Sequence, residues 1–428
     1  MHKRYVTRVV TIVAALGLVL GLSLDTAPTQ AKPIAPEAMQ VAAVANTLGS
    51  TAEELQTALQ ILATGQARPR LLKPDRLADS FFDRPANVSG VPGVVVAARD
   101  ISPRASASVG VRVRATQYKF VTRDSHGVAD WATATLLLPV AMSKPQHILV
   151  FNDATDSLGL RCQPGAKLAS GRQFDLAWGL KQGFGVLVPD HDGLDSEYAA
   201  TRQTGHIVLD AMRVASRVHP NADFINVGYS GGGLSNYGAS MFQQEYAPEL
   251  NGRVTAYFSG GTPANLSAVV AQMDGDFVDS GILFAAVLGI SREYPQVYTL
   301  YRPIGLAVGY LMRNACLEEF GALGLLSLPI DTFATPRALY SATARAVFAD
   351  TDLVGHGRVI PADLLVYHSA GDEMIPYPQA LRWYQEQQSS AAPGRARLLW
   401  TGSGTHSHYG QRMQSVLQHR ILTHYWQN

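Results

Sequence analysis

The chain has 428 residues, 16% of them Asp, Glu, Lys or Arg, and a formal charge of +1 without basic clustering, which argues against a nucleic-acid partner. Its length exceeds a minimal domain and fits one large α/β domain that carries an insertion. With two cysteines, no Cys-X-X-Cys pair and no H-E-x-x-H helix, a zinc site has no support, and no metal or cofactor is expected.

His2, Lys3, Arg4 and Arg8 precede the uncharged apolar run Val9 to Leu24, and Ala27-Pro28-Thr29-Gln30-Ala31 supplies small residues for cleavage after Ala31. Residues 1–31 therefore read as a secretory signal, directing the chain to the exterior or the cell envelope. The run is short for a bilayer span, so no stable transmembrane segment is expected in the mature chain; retention as an N-terminal anchor stays open. Cleavage removes Lys3, Arg4, Arg8 and Asp25 and moves the formal charge from +1 to −1. In an exported chain the two cysteines, Cys162 and Cys316, are expected to form one disulfide.

Residues 32–48 are rich in Ala and Pro and read as a loosely held lead-in. Thr51 to Gly65 follows as an amphipathic helix, with Thr51 and Glu54 spaced as a capping box and Leu55, Ala58, Leu59 and Leu62 on one face. Alternation over Val111 to Val121, a turn at Ser125-His126-Gly127 and the β-branched run Trp131 to Val140 predict an antiparallel pair opening a sheet. Strands then alternate with helices: Ile148–Phe151, Phe184–Pro189, a crossover helix Thr204–Val218, Phe224–Val227, a helix Leu234–Tyr246, and Val254–Phe258. Late strands at Leu364–His368 and Leu398–Thr401 and a closing helix Gln411–Tyr425 complete the pattern. This is the signature of a mostly parallel sheet covered by helices on both faces. Asp190-His191-Asp192-Gly193 resembles the start of a calcium loop but lacks the later acidic ligands, and reads as a loop after a strand.

The domain boundaries that follow are 1–31 signal, 32–75 lead-in and helix, 76–263 first part of the core, 264–358 a helical cap insertion, and 359–428 the last part of the core. The insertion holds the apolar runs Gly281–Ile290, Pro303–Met312 and Gly321–Ile330, each too short for a bilayer. It would sit above the strand C-termini, where ligands bind in open α/β sheets, and could form a lid or acyl-binding cap. The disulfide would tie it to the core.

Asn226-Val227-Gly228-Tyr229-Ser230-Gly231-Gly232-Gly233 offers a serine between glycines where a strand turns into a helix. The exposed hydroxyl of Ser230 would lie at a helix N-terminus, where the dipole and the Gly231 amide can stabilise an oxyanion. Such a nucleophile needs a base and an orienting carboxylate, here in the chain order Ser, Asp, His. Asp372 follows a strand at the correct end of the sheet, with Glu373 its main competitor. His406 and His408 fall in the glycine-bearing stretch after the last strand; His406 is the expected base and His408 the alternative. A second oxyanion amide is expected from Asn152-Asp153-Ala154-Thr155-Asp156, through the backbone of Asp153 or its carboxyl held protonated.

Five segments together resemble the secretory lipase family, of the yeast lipase A type, within the α/β-hydrolases. Asp79 to Pro85 is similar to D-x-F-Y-x-x-P, Phe151 to Asp156 to the family's oxyanion segment, and Val188 to Gly193 to V-P-D-Y-E-G. Gly228 to Gly233 with Tyr246 to Leu250 is similar to G-Y-S-Q-G-G and Y-A-P-E-L, and Tyr367 to Pro376 to Y-H-G-x-x-D-E-V-V-P. The resemblance implies an α/β-hydrolase with Ser230, Asp372 and His406 as triad, Asp153 and Gly231 at the oxyanion hole, a helical cap, and a Cys162–Cys316 disulfide. Where the family has G-G-H-G this chain has Gly404-Thr405-His406-Ser407, which keeps His408 in contention. The expected activity is secreted hydrolysis of acyl esters such as triacylglycerols, with the substrate met at a lipid–water interface; an acyltransferase or a non-catalytic lipid-binding homologue is the alternative. Acyl-chain length and oligomeric state leave no sequence trace.

Overall fold

The computed structural model describes residues 36–84, 89–102, 110–141, 145–170, 177–276, 279–319 and 328–425. The signal sequence, Pro85 of the first family-like segment and most of the run 321–330 lie outside them. The described residues from 40 to 425 form one compact unit.

Nine strands build one sheet: β1 (Val95–Ile101), β2 (Val113–Arg123), β3 (Ala129–Pro139), β4 (His147–Asn152), β5 (Gly185–Pro189), β6 (Asp223–Tyr229), β7 (Val254–Gly260), β8 (Asp363–Ser369) and β9 (Arg397–Gly402). They are ordered β1-β2-β3-β5-β4-β6-β7-β8-β9. The pairs from β1 to β5 across β2 and β3 are antiparallel, and from β5 onward every pair is parallel. Parallel strands need crossovers, and the helices Thr201–Val218, Gly231–Tyr246 and Tyr377–Ser389 supply them. Ile148, Val150, Phe224, Tyr257 and Val366 face a core shared with these helices. Alternate residues such as Leu149, Val186, Ile225 and Phe258 face a second core, closed by the last helix, His406–His424, through Tyr409, Met413, Leu417 and Ile421.

Four expectations are corrected. Residues 36–48 are helical, not a loose lead-in, because Val41, Val44, Ala45 and Leu48 recur at helical spacing and give that helix an apolar stripe. The sheet opens with β1, an edge strand whose exposed valines and charges hide the alternation of a half-buried strand. The last helix starts at His406 rather than Gln411. The helix Tyr377–Ser389 was not anticipated, because its inward face carries Gln379 and Gln387 beside Ala380 and Trp383. These glutamines stay buried by donating to the carbonyls of Thr262 and Arg358.

The capping box at Thr51 and Glu54 is present in both halves, and Gly65 ends that helix in the left-handed region. Residues 264–358 hold the helices Leu266–Met273, Ser280–Glu293, Pro303–Met312 and Ala342–Thr351. Arg292 in the second of these is fully buried and donates to the carbonyls of Leu72, Leu158, Asp195, Ser196 and Arg313. Burial lowers its guanidinium to about 10 against the pull of Tyr298, Glu197 and Asp195, while the five carbonyls satisfy its N–H donors. Close by, Leu158 donates to Ala315 at 3.0 Å, and Cys162 bonds Cys316 across a Cα separation of 5.6 Å.

Because that disulfide closes a loop of 154 residues, its loss should be felt mainly through the unfolded chain. The Cys162→Ser/Cys316→Ser variant is expected to lose about 2–4 kcal/mol of stability. Chemical denaturation would check this against the oxidised wild type.

Candidate active site

β6 ends at Tyr229 and the next helix begins at Gly231, so Ser230 makes the whole turn, with φ 56° and ψ −121°. A non-glycine residue rarely adopts this conformation, and its neighbours hold it there. The Ser230 amide donates to Gly260 O at 2.9 Å, and its carbonyl accepts from Leu234 N at 2.9 Å. The glycines are required by contact: a Cβ on Gly228 would lie 2.1 Å from Gly232 O, and one on Gly232 would lie 2.0 Å from Asn152 O. β4, β6 and the helix thus meet backbone to backbone beneath the serine.

Asp372 lies in the turn after β8. Its Oδ1 accepts from the amides of Met374 at 3.1 Å and Ile375 at 2.8 Å, and its Oδ2 accepts from Nδ1 of His406 at 2.7 Å. His368 brings its Nε2 to 3.4 Å from the same oxygen while bonding to Ile375 O. Glu373, the competing acid, does not take the imidazole; its Oε2 accepts from the backbone N–H of His406 at 2.8 Å. It therefore caps the last helix, whose N-cap Thr405 makes no side-chain cap of its own.

His406 is the first residue of that helix. Its carbonyl accepts from Tyr229 Oη at 2.6 Å and its ring lies against the Tyr229 ring, centroids 4.9 Å apart. With Nδ1 committed to Asp372, Nε2 is left buried and without a hydrogen-bond partner among the described residues. His408 is exposed and does not line the cavity that His406 and Ser230 share.

That cavity is about 660 Å³ and is mostly apolar in its lining. Asp153 and Gly231 both border it. The carbonyl of Asp153 accepts from His191 Nε2 at 2.7 Å, and burial raises its carboxyl against the pull of Lys167 and His191. His191 pairs with Asp192 at 3.2 Å; burial opposes its charge, but that partner prevails and pushes it up to about 9.

Sequence reasoning missed Asp156. It sits at φ 40° with its Oδ1 1.9 Å from where a Gly231 Cβ would be. Its carboxyl fills the space left by the glycine after the serine. Burial, then the charges of Asp192 and Asp153, push it up to about 7, with His191 opposing. The one sequence signal is Gly231 itself, where the motif that this segment resembles has glutamine. Gln272 was also missed: from the helix Leu266–Met273, its Nε2 donates to the carbonyls of Asp372 at 3.1 Å and Glu373 at 2.7 Å. Among the described residues no group of three or more His, Cys, Asp or Glu is set to hold a metal, and no helix is long and apolar enough to cross a membrane.

The description of the secretory lipase family matches residues 172–411, more than half of the chain. The chain belongs to the secretory lipase family. It is therefore placed among the carboxylic ester hydrolases of the lipase type. It is 26% identical over 329 residues to the secreted triacylglycerol lipase LIP1 of Malassezia furfur, covering 71% of this chain and 66% of that one. To lipase 6 of Candida albicans it is 28% identical over 364 residues, covering 76% of each chain. The solved structure of Candida antarctica lipase A in its closed state superposes with a TM-score of 0.69 at 20% identity, covering 81% of this chain and 83% of that one. At that identity the likeness shows the α/β-hydrolase fold.

Asp156 gives a stability prediction. In the unfolded chain its carboxyl ionises at its ordinary 3.8, and in the folded chain at about 7. Between these values the folded state keeps a proton that the unfolded state has released, so stability falls as pH rises from about 4 to about 7. Asp156→Asn removes this group, and denaturation midpoints measured across that range should fall less steeply than in the wild type.

Proposed function

We propose that the protein is a secreted serine hydrolase that cleaves acyl esters, triacylglycerols among them, through an acyl-enzyme intermediate. The observation that carries the reading is His406: Nδ1 is bonded to Asp372, Nε2 makes no hydrogen bond among the described residues, and the residue lines the same cavity as Ser230. Ser230 Oγ attacks the ester carbonyl carbon while His406 Nε2 takes the hydroxyl proton, and Asp372 fixes the ring and balances the imidazolium. The tetrahedral oxyanion accepts from the amides of Gly231, at the helix N-terminus, and Asp153. Asp156, beside Gly231 and protonated over much of the range below about 7, adds a neutral carboxyl where an ionised one would oppose the developing charge.

As the C–O bond breaks, His406 passes its proton to the leaving alcohol oxygen and the acyl group stays on Ser230. Water, deprotonated by His406, then attacks the acyl carbon, and Ser230 leaves with the proton as free acid forms. The segment 264–358 acts as a cap, supported by Leu266, Val269, Met273, Ile282 and Leu283 lining the cavity. Export through the signal at 1–31 is supported by the similarity to secreted lipases of Malassezia furfur and Malassezia globosa.

Ser230→Ala and His406→Ala should each lower kcat by about 10⁶, and Asp372→Asn by about 10⁴. His408→Ala should stay near wild type. Release of free acid, followed by titration in the presence of a competing alcohol, reads both the rates and the product. Near wild-type activity in His406→Ala would overturn the assignment of the base, and new ester forming faster than free acid would make the protein a transferase.

A further inference from the structure

The central strands of a sheet covered on both faces should be buried on both. β4 and β6 are central, and toward the crossover helices Ile148, Val150 and Phe224 are fully buried. On the opposite face Leu149 and Ile225 are buried, yet Phe151 and Val227, one step nearer the serine, are half-buried and line the cavity. The cavity lining therefore falls into two parts, or arms. One is contributed by the helices of residues 264–358. The other is contributed by this face of the sheet and the core that covers it: Phe151 and Val227 with Trp178 and Leu417. Gln411, Gln414 and Gln418 border it from the last helix, at spacings that share one helix face.

We propose that this second arm is the alcohol-side subsite, which takes the apolar chain carried by the leaving oxygen of the ester. The inference rests on the hydrolase reading above and deepens it. In that reading His406 Nε2 must hand its proton to the leaving oxygen, so the alcohol portion departs on the imidazole side of the serine. The helix that begins with His406 forms one wall of this arm, which is continuous with the site. The acyl chain then lies in the insertion arm, lined by residues such as Leu266 and Ile282. An apolar floor suits an alkyl chain, and the glutamine amides along the rim can hydrogen-bond to further ester carbonyls on the same alcohol. The class of substrate this fits is an ester of an apolar alcohol, such as a glycerol that still carries acyl chains.

Gln414 is exposed, so Gln414→Trp places a bulky ring over this arm without entering the core. The test compares kcat/KM for decyl acetate, whose chain is on the alcohol, with methyl decanoate, whose chain is on the acid. The preference for decyl acetate is expected to fall at least about tenfold, the scale on which hydrophobic subsites discriminate. Gln418→Trp, one turn further along, should change it in the same direction. A ratio within about twofold of wild type in both variants, with hydrolysis intact, overturns the alcohol subsite and leaves the hydrolase reading standing. A selective loss of methyl decanoate overturns it too, by making the arm an acyl site. A wild-type chain that hydrolyses neither ester removes both readings.

Discussion

The proposed active site depends on three backbone segments meeting with no side chain between them. The carbonyl of Asn152 at the end of β4, Gly228 in β6 and Gly232 in the following helix approach so closely that a Cβ on either glycine would clash at about 2 Å. This contact forces the connection into a single residue, and that residue is Ser230 at φ 56°. Such a conformation costs roughly 1–3 kcal/mol, offset by the buried helix behind it. The hydroxyl is thereby raised at the end of the strand beside a helix N-terminus.

The remaining groups are arranged around that fixed point by parts of the chain distant in sequence. The 2.7 Å bond from His406 to Asp372 joins the turn after β8 to the start of the last helix. Glu373 holds the same helix by its first amide, and Gln272 ties this turn to the helix Leu266–Met273. Asp372 is thus fixed from three sides: by its own turn amides, by the imidazole and by the segment that lines the cavity. The disulfide and the buried Arg292, which donates to Leu72 and Leu158, fasten that segment to the rest of the chain at further points.

Local signals carried much of this into the sequence. Glycines around Ser230, a β-branched run before them and a helical composition after them were sufficient to place the elbow. Asp372 lies just past the C-terminal end of β8, where the sequence order places an acid, whereas Asp363 opens the same strand and accepts from Ala396 N and Tyr425 Oη. What could not be read depends on contacts between remote residues. The last helix starts at His406 because Glu373, 33 residues earlier, caps it, whereas Gly402 and Gly404 suggested a longer loop. Asp156 looks like any loop aspartate until the fold sets its carboxyl where Gly231 has no side chain. The helix Tyr377–Ser389 escaped notice because its buried glutamines find carbonyl partners far away in the chain.

The central claim is that the strained serine is the nucleophile and that His406 activates it. Incubation of the oxidised protein with an alkyl phosphonate carrying a good leaving group, followed by digestion and mass spectrometry, tests this directly. One equivalent of adduct is expected on the peptide containing Ser230, forming much more slowly in His406→Ala. A folded protein that stays unlabelled, or carries the adduct on another residue, would contradict the account.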